Sequence, residues 1–345
     1  MKIGCFTHKN NTGLAYAAER NLKLVESLGH DLTYFPEATF LNKPKEPGLD
    51  LVYWHSNPPQ VWKEHWPKMV SGPPAIGFWI SEVEEIWESW VRLSECMREV
   101  WTASLWFASA LRAKLQCPVR HIPHPLDLEQ WPYRARPKPS PFVVLCAFDG
   151  WSLILRKNPA AVVRVFQKAF TDSDAKLSLK ATHLSDEQKA ELERTIAGDT
   201  RVEFRIGNQE HADLLRLMAE SHVLLSLHRS EGFGMHIAEA MITGLPVMVT
   251  DYSGTTDFCT NAHALLVPFK KEPVVLPEMP HPPYPERSVW AFPDEEAATM
   301  ALWVFREQMR CESARVYGMM GQALADVGRY CATPVVKEKI REVLI

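Results

Sequence analysis

The stretch SEGFGMHIAEAMITGLPV, residues 230–247, sets Glu231 immediately before Gly232-Phe233-Gly234 and places Glu239 further along the same stretch. The preceding HVLLSLH (222–228) is apolar enough to be a central parallel strand. HRSEGFG is then the loop leaving its C-terminal end, and MHIAEAMIT is a helix stopped by Gly244. Open α/β sheets bind ligands off the C-terminal ends of their strands, against helix N-termini. Gly232 and Gly234 let the backbone approach a ligand in a way that a Cβ would prevent. The positive end of the helix suits a diphosphate, contributing about 0.3–2 kcal/mol. The two carboxylates then reach different parts of one extended ligand, with an anionic middle and hydroxyl-bearing ends. A nucleotide-sugar has that layout. Taken singly, Glu231 reads as a loop charge and Glu239 as a capping carboxylate in an early helical turn.

The elements that must hold these residues alternate between strand and helix almost throughout, the pattern of parallel sheets wrapped by helices. Strands are expected at 2–7, 49–55, 74–80, 99–104 and 119–124, with a helix at 13–30. A second series starts at FVVLCAFD (142–149), followed by a helix at 158–170 and strands at 176–183, 202–207, 222–228, 245–250 and 264–269. Between the two, WPYRARPKPSP (131–141) is rich in proline and basic residues and reads as a linker. Helical patterns run from about Asp294 to the end. Domains are therefore expected at 1–136 and 141–325.

The chain has 345 residues, 46% of them hydrophobic and 23% charged, enough for two α/β domains with real cores. A formal net charge of −4 argues against nucleic acid as a partner. There is no apolar run of the roughly 18 residues that a spanning helix needs. The opening MKIGCFTHKNN reads as a first strand, without the apolar core of a signal peptide. Seven cysteines without paired spacing suit a reducing, cytoplasmic setting, and none is spaced with histidine as in a zinc site. Asp172-Ser173-Asp174 spells the D-x-D of metal-dependent transferases, but it falls between a helix and the next strand and reads as a solvated turn. Eight of the 12 tryptophans fall between Trp54 and Trp106. Val83, Ile86, Trp87 and Trp90 repeat at helical spacing and are expected in a core. Trp54 and Trp79, at strand ends, are as well suited to stacking on a sugar as to packing.

EGFGMHIAEAMITGLPVMVTDYSGTTDF closely resembles the donor-site signature of the retaining glycosyltransferases of family 4, in which EGFG, four residues, EAM and a downstream GxPV recur. RKNPAAVVRVFQKAF, VRHIPHPLD, TGLAYAAERNLKLVESLGHDLTYF and WAFPDEEAA resemble other segments of that family more weakly. The resemblance implies a GT-B fold, two Rossmann-like domains facing each other across a cleft, with a final helix, about 326–345, returning to the first domain. It implies that Glu231 holds hydroxyls of the donor sugar, that Glu239 holds the ribose, and that the backbone of Gly232, Phe233 and Gly234 approaches sugar and phosphates. Lys157 matches the lysine that neutralises the diphosphate. Ser152 stands where the family carries an arginine, so Arg156 is the candidate to replace it. Two cations beside a leaving diphosphate stabilise charge developing in the transition state. Gly13 sits in a strand-to-helix loop suited to the donor phosphate or the acceptor. Glu82, His55 and Trp79 are the acceptor-side candidates, with His55 equally readable as a packed histidine. The implied activity is hexosyl transfer, with retention, from a nucleotide-sugar to a saccharide, lipid-linked or other hydroxyl acceptor, without metal or cofactor. Peripheral membrane association and oligomeric state stay open. A nucleotide-sugar 2-epimerase and a non-catalytic nucleotide-sugar-binding subunit are the rival readings.

Overall fold

The structure is a computed structural model and describes residues 1–7, 13–36, 48–58, 73–207, 210–277 and 282–344. Short apolar runs bounded by turn residues form two six-stranded parallel sheets. The first contains β1 (Lys2–Thr7), β2 (Asp31–Pro36), β3 (Leu51–His55), β4 (Ala75–Phe78), β5 (Glu99–Thr102) and β6 (Val119–His121), in the order β2-β1-β3-β4-β5-β6. The second contains β7 (Phe142–Asp149), β8 (Ala175–Thr182), β9 (Val202–Ile206), β10 (Val223–Ser226), β11 (Val247–Thr250) and β12 (Leu265–Val267), in the order β12-β11-β10-β7-β8-β9. Strands β3, β4, β5, β10 and β11 are buried along their whole length, which parallel strands covered on both faces require. In the second sheet the chain lays β8 and β9 on one side of β7, then returns to place β10 on the other. The strand order therefore reverses between β7 and β10, and such switch points open a crevice at the C-terminal strand ends. In the first sheet the reversal lies between β1 and β3. A two-stranded sheet, β13 (Phe269–Pro273) with β14 (Val289–Pro293), completes the strands among the described residues.

The chain divides into two compact units, one of Met1–Leu126, Pro273–Val289 and Cys331–Ile345, the other of Asp127–Glu272 and Trp290–Tyr330. The proline-rich stretch 131–141 therefore belongs to the second unit and is no free linker. Trp131 is buried, the Arg134 amide donates to the Thr243 carbonyl at 2.9 Å, and the Arg136 guanidinium donates to the carbonyls of Met218 and Thr243. Those bonds give an extended segment, which cannot build its own ladder, a fixed place. The described part of the proline-dense segment 273–285 groups with the first unit, outside the domain expected from sequence. Helix Thr333–Leu344 also belongs to the first unit. Its Val336 and Ile340 are fully buried, and Lys337 donates to the Ser27 carbonyl at 3.2 Å.

Around the second sheet, Phe142, Phe166, Phe170 and Phe305 join one continuous core. Asp172 accepts from Arg306 at 2.9 Å and Asp174 pairs with Arg310, so the D-x-D is tied to helix Glu295–Arg310 rather than merely solvated. The tryptophan-rich segment is helical only from Glu88, with Trp87 extended at its N-cap. Of the four residues expected in the core, Val83, Ile86 and Trp90 are buried and Trp87 is half-buried against it.

Candidate active site

Two loops meet at the switch point of the second sheet. After β7, the Asp149 carboxylate caps a 3-10 turn, Gly150–Ser152, by accepting from the Trp151 amide at 3.0 Å. A single helical turn, Ile154–Lys157, follows and ends at Asn158 in the left-handed region, φ 54°. Asn158 donates from its side chain to the Leu227 carbonyl at 2.9 Å, and the Arg229 amide donates to the Arg156 carbonyl at 2.7 Å. These bonds stitch the β7 loop to the β10 loop and bring Arg156 and Lys157 against Glu231.

The Lys157 ammonium donates to Glu231 Oε1 at 2.6 Å. Arg156 Nη1 lies 3.3 Å from Glu231 Oε2 and donates to the Ser230 carbonyl at 2.7 Å. All three side chains are nearly buried, at 12% exposed for Lys157, 4% for Arg156 and 7% for Glu231. Burial opposes ionisation of Glu231, but Lys157 and then Arg156 outweigh it and hold the carboxyl far below the usual carboxylate range. Within this triad two cations face one anion.

The glycine loop is held from below by the 3-10 turn Ser253–Asp257. Ser253 Oγ accepts from the Glu231 amide at 2.8 Å, and the Glu231 carbonyl accepts from the Gly254 amide at 2.9 Å. A Cβ on Gly254 would come within 2.3 Å of the Gly232 carbonyl oxygen, so this approach requires glycine. Gly234 has φ 88° and is the N-cap of helix Met235–Ile242. The Phe233 ring turns inward, stacked on Tyr330 at 6.2 Å and tilted against Phe258 at 5.4 Å. Any ligand at this loop therefore meets the backbone of residues 232–234 and not the phenyl ring. Glu239 is buried and is the fifth residue of the helix, whose first turn carries no acid. It is not a capping carboxylate.

Two imidazoles complete the surroundings. His228 is fully buried, with Nδ1 3.0 Å from Ser226 Oγ and Nε2 3.4 Å from Thr255 Oγ1. Burial lowers His228 to about 4. In the first helical turn, burial and the neighbouring Lys157 lower His236 to about 3. Both are neutral at physiological pH. Sequence reasoning singled out neither histidine, nor Ser253 and Gly254. The signal for the last two was the DYSGTTDF segment leaving β11, the strand beside β10.

The remaining candidates lie in the first unit. Gly13 opens helix Gly13–Ser27 with open space where a Cβ would be, and the HKNNT residues before it lie outside the described residues. His55 is fully buried at the end of β3, with Nε2 3.3 Å from Asn21 Nδ2 and its ring stacked on Phe78 at 4.4 Å. Of its two readings, the geometry is that of the packed histidine. Trp79 overturns its expectation as an acceptor platform. It is fully buried, with its ring centroid 5.7 Å from that of Trp90. Gly77 makes this possible, because a Cβ there would lie 2.4 Å from Trp79 Nε1. Trp54 is buried in the same core. Glu82 accepts from the Tyr284 hydroxyl at 3.3 Å within this unit.

The fold is that of the GT-B glycosyltransferases. The chain superimposes on Anabaena Alr3699/HepE, solved in complex with UDP and glucose, with a TM-score of 0.69 at 14% identity, over 100% of this chain and 99% of the other. Sucrose-phosphate synthase from Thermosynechococcus elongatus gives 0.72 at 14% identity over 99% and 98%. The pneumococcal O-GlcNAc transferase GtfA, solved with UDP and GlcNAc, gives 0.60 at 14% identity over 85% of this chain and 56% of its own. No curated protein sequence matches the chain. Residues 108–299, more than half the chain, match the family described as family 4 glycosyltransferase in conflict systems, and the chain belongs to that family.

Proposed function

We propose that this glycosyltransferase moves a hexose from a UDP-sugar to a hydroxyl of a saccharide or lipid-linked acceptor, with retention of anomeric configuration. The observation that carries the proposal is the buried Lys157–Glu231 pair at the switch point of the second sheet. The UDP complexes of HepE and GtfA supply the nucleotide class.

In the resting chain Lys157 and Glu231 satisfy each other. On donor binding, the diphosphate becomes the partner of Lys157, and Glu231 turns its freed oxygen to sugar hydroxyls while Arg156 keeps it ionised. Glu239 takes the ribose. The bond between the anomeric carbon and the diphosphate oxygen breaks with its electron pair moving to the phosphate. Lys157 and the positive end of helix Met235–Ile242 stabilise that charge. The acceptor oxygen bonds to the anomeric carbon on the same face, and its proton passes to the departing phosphate. Glu231, kept ionised by Arg156 and turned to the sugar hydroxyls, serves as an anchor and not as a covalent nucleophile. Fixed cations stand where a divalent ion would otherwise offset the diphosphate, so the transfer is read as metal-independent. The free cysteines fit a cytoplasmic enzyme.

The test is a thermal-shift panel of UDP-, GDP-, ADP- and CMP-sugars, followed by mass spectrometry of the products. A UDP-sugar at about 100 times its Kd adds about 2.7 kcal/mol of stability. Failure of every nucleotide-sugar to raise Tm overturns the proposal. Epimerised donor formed without acceptor assigns an epimerase instead, and binding without release of UDP assigns a binding subunit.

A further inference from the structure

A second cluster lies at the C-terminal ends of β7 and β8, on the loop that leads into Lys157 but apart from the ion triad. Asp149 ends β7 and sits in register with Thr182, which ends β8. His183, the next residue, adopts φ 51°, a left-handed conformation uncommon for a residue with a Cβ. Its Nδ1 lies 3.1 Å from Asp149 Oδ1. The indole of Trp151 lies flat on the imidazole, with ring centroids 3.8 Å apart and planes 9° from parallel. Trp151 is nevertheless 63% exposed, the most exposed tryptophan among the described residues. Gly150 allows the assembly, since a Cβ there would come within 2.6 Å of the His183 carbonyl oxygen. Backbone held in a sparsely populated region persists where the surroundings fix it, and such sites are often functional.

We propose that Trp151, His183 and Asp149 form a saccharide-binding subsite, with the outer face of the indole as its floor. The inner indole face is taken by His183, so the solvent-facing side is the one offered to a ligand. A pyranose ring has an apolar face of C–H bonds that packs on an aromatic plane and a rim of hydroxyls that needs polar partners. With Nδ1–H donating to Asp149, His183 Nε2 is left as an acceptor for a hydroxyl. The Asp149 carboxylate offers further acceptor capacity and makes the cluster unsuited to a phosphate, which the Lys157 crevice takes. Naming the bound ring as the acceptor rests on the glycosyl-transfer proposal, whereas the subsite itself does not.

Saturation-transfer NMR with the methyl glycosides of glucose, galactose, mannose and N-acetylglucosamine tests it, each with and without UDP, alongside calorimetry of UDP. The full chain should contact at least one glycoside. Trp151→Ala should weaken that contact about tenfold or more, and Trp151→Phe should recover part of it. His183→Asn, which tolerates the positive φ, should weaken it too. The melting temperature of each variant checks its folding, and Trp151 is exposed enough for its loss to leave the core intact. The subsite is overturned if no glycoside is contacted in either condition, if Trp151→Ala binds as the full chain does, or if uridine displaces the glycoside from the indole. Failure of UDP to bind the unaltered chain would instead sink the glycosyl-transfer proposal and leave the glycoside result readable.

Discussion

The two sheets reverse strand order in the same manner, and the described side chains at their C-terminal ends differ. At the end of β3 in the first sheet, His55 stacks on Phe78, whose other neighbour is the His124 ring at 5.5 Å. Burial and the adjoining His55 push His124 well below its ordinary value, and both imidazoles are buried at this end. At the ends of β7 and β10 the second sheet holds Arg156, Lys157 and Glu231. A Rossmann-like topology thus repeats twice, and the described side chains near its two reversals differ: stacked buried rings at the end of β3, a buried ion triad at the ends of β7 and β10.

The comparison is broken most strongly from the first sheet. Trp79→Ala should cost about 3–5 kcal/mol of stability, because it empties a site closed by Trp90 and Gly77. UDP affinity of the folded fraction should stay within about twofold, by calorimetry. A large loss of affinity would mean that Trp79 serves the ligand after all. Next, Glu231→Ala should lower kcat about a hundred- to a thousandfold. It should also lower Tm, since Lys157 and Arg156 lose their buried counter-charge. Near-normal turnover in a folded variant would remove Glu231 from the mechanism. Lys157→Ala should weaken UDP by about 1.5–3 kcal/mol, the range of a hydrogen bond to a charged group. Unchanged affinity in an Arg156→Ala/Lys157→Ala double variant would move the phosphate site elsewhere.

The last effect is read against pH. His228 is held near 4 in the folded chain, against about 6.5 when unfolded. Between those values the unfolded chain binds the extra proton. Stability from burying the neutral ring is therefore complete above about 6.5 and is lost towards pH 4, at up to about 1.4 kcal/mol per pH unit. Melting curves of His228→Asn should be flatter over that window than those of the unaltered chain. Equal slopes would show that other groups carry the acid sensitivity.

The strands were legible because continuous apolar runs such as VLLS and VMVT announce burial on both faces. Asp31–Pro36 was not, because exposed Thr33 and Tyr34 interrupt the run of a strand at the edge of its sheet. Nor was β13, whose FKKEP is mostly exposed. Glu231, Lys157 and Arg156 could be named from the local motif and the family it resembles. Their mutual neutralisation could not, since it depends on β7 and β10 becoming neighbours across intervening strands. Trp79 was misplaced for a simpler reason. Alternation along β4 shows which face a ring takes, but only the missing Cβ at Gly77 shows that the ring folds back into the core.

The path of the chain between the two units bears on how the protein can be cut. It passes from one to the other after Leu126, Glu272, Val289 and Tyr330, so the first unit is assembled from three separate stretches. A gene fragment ending at Leu126 would lack helix Thr333–Leu344, exposing the apolar surface that Val336 and Ile340 cover. Removing residues after Tyr330 should accordingly unfold the first unit at lower temperature and leave the second near its own melting point. If the shortened chain melts like the full one, the last helix is dispensable to the first unit. Modular exchange with other chains of this fold would need to carry 273–289 and 331–345 along with 1–126. A swap made at a single junction should yield insoluble protein, whatever the quality of the donor site it imports.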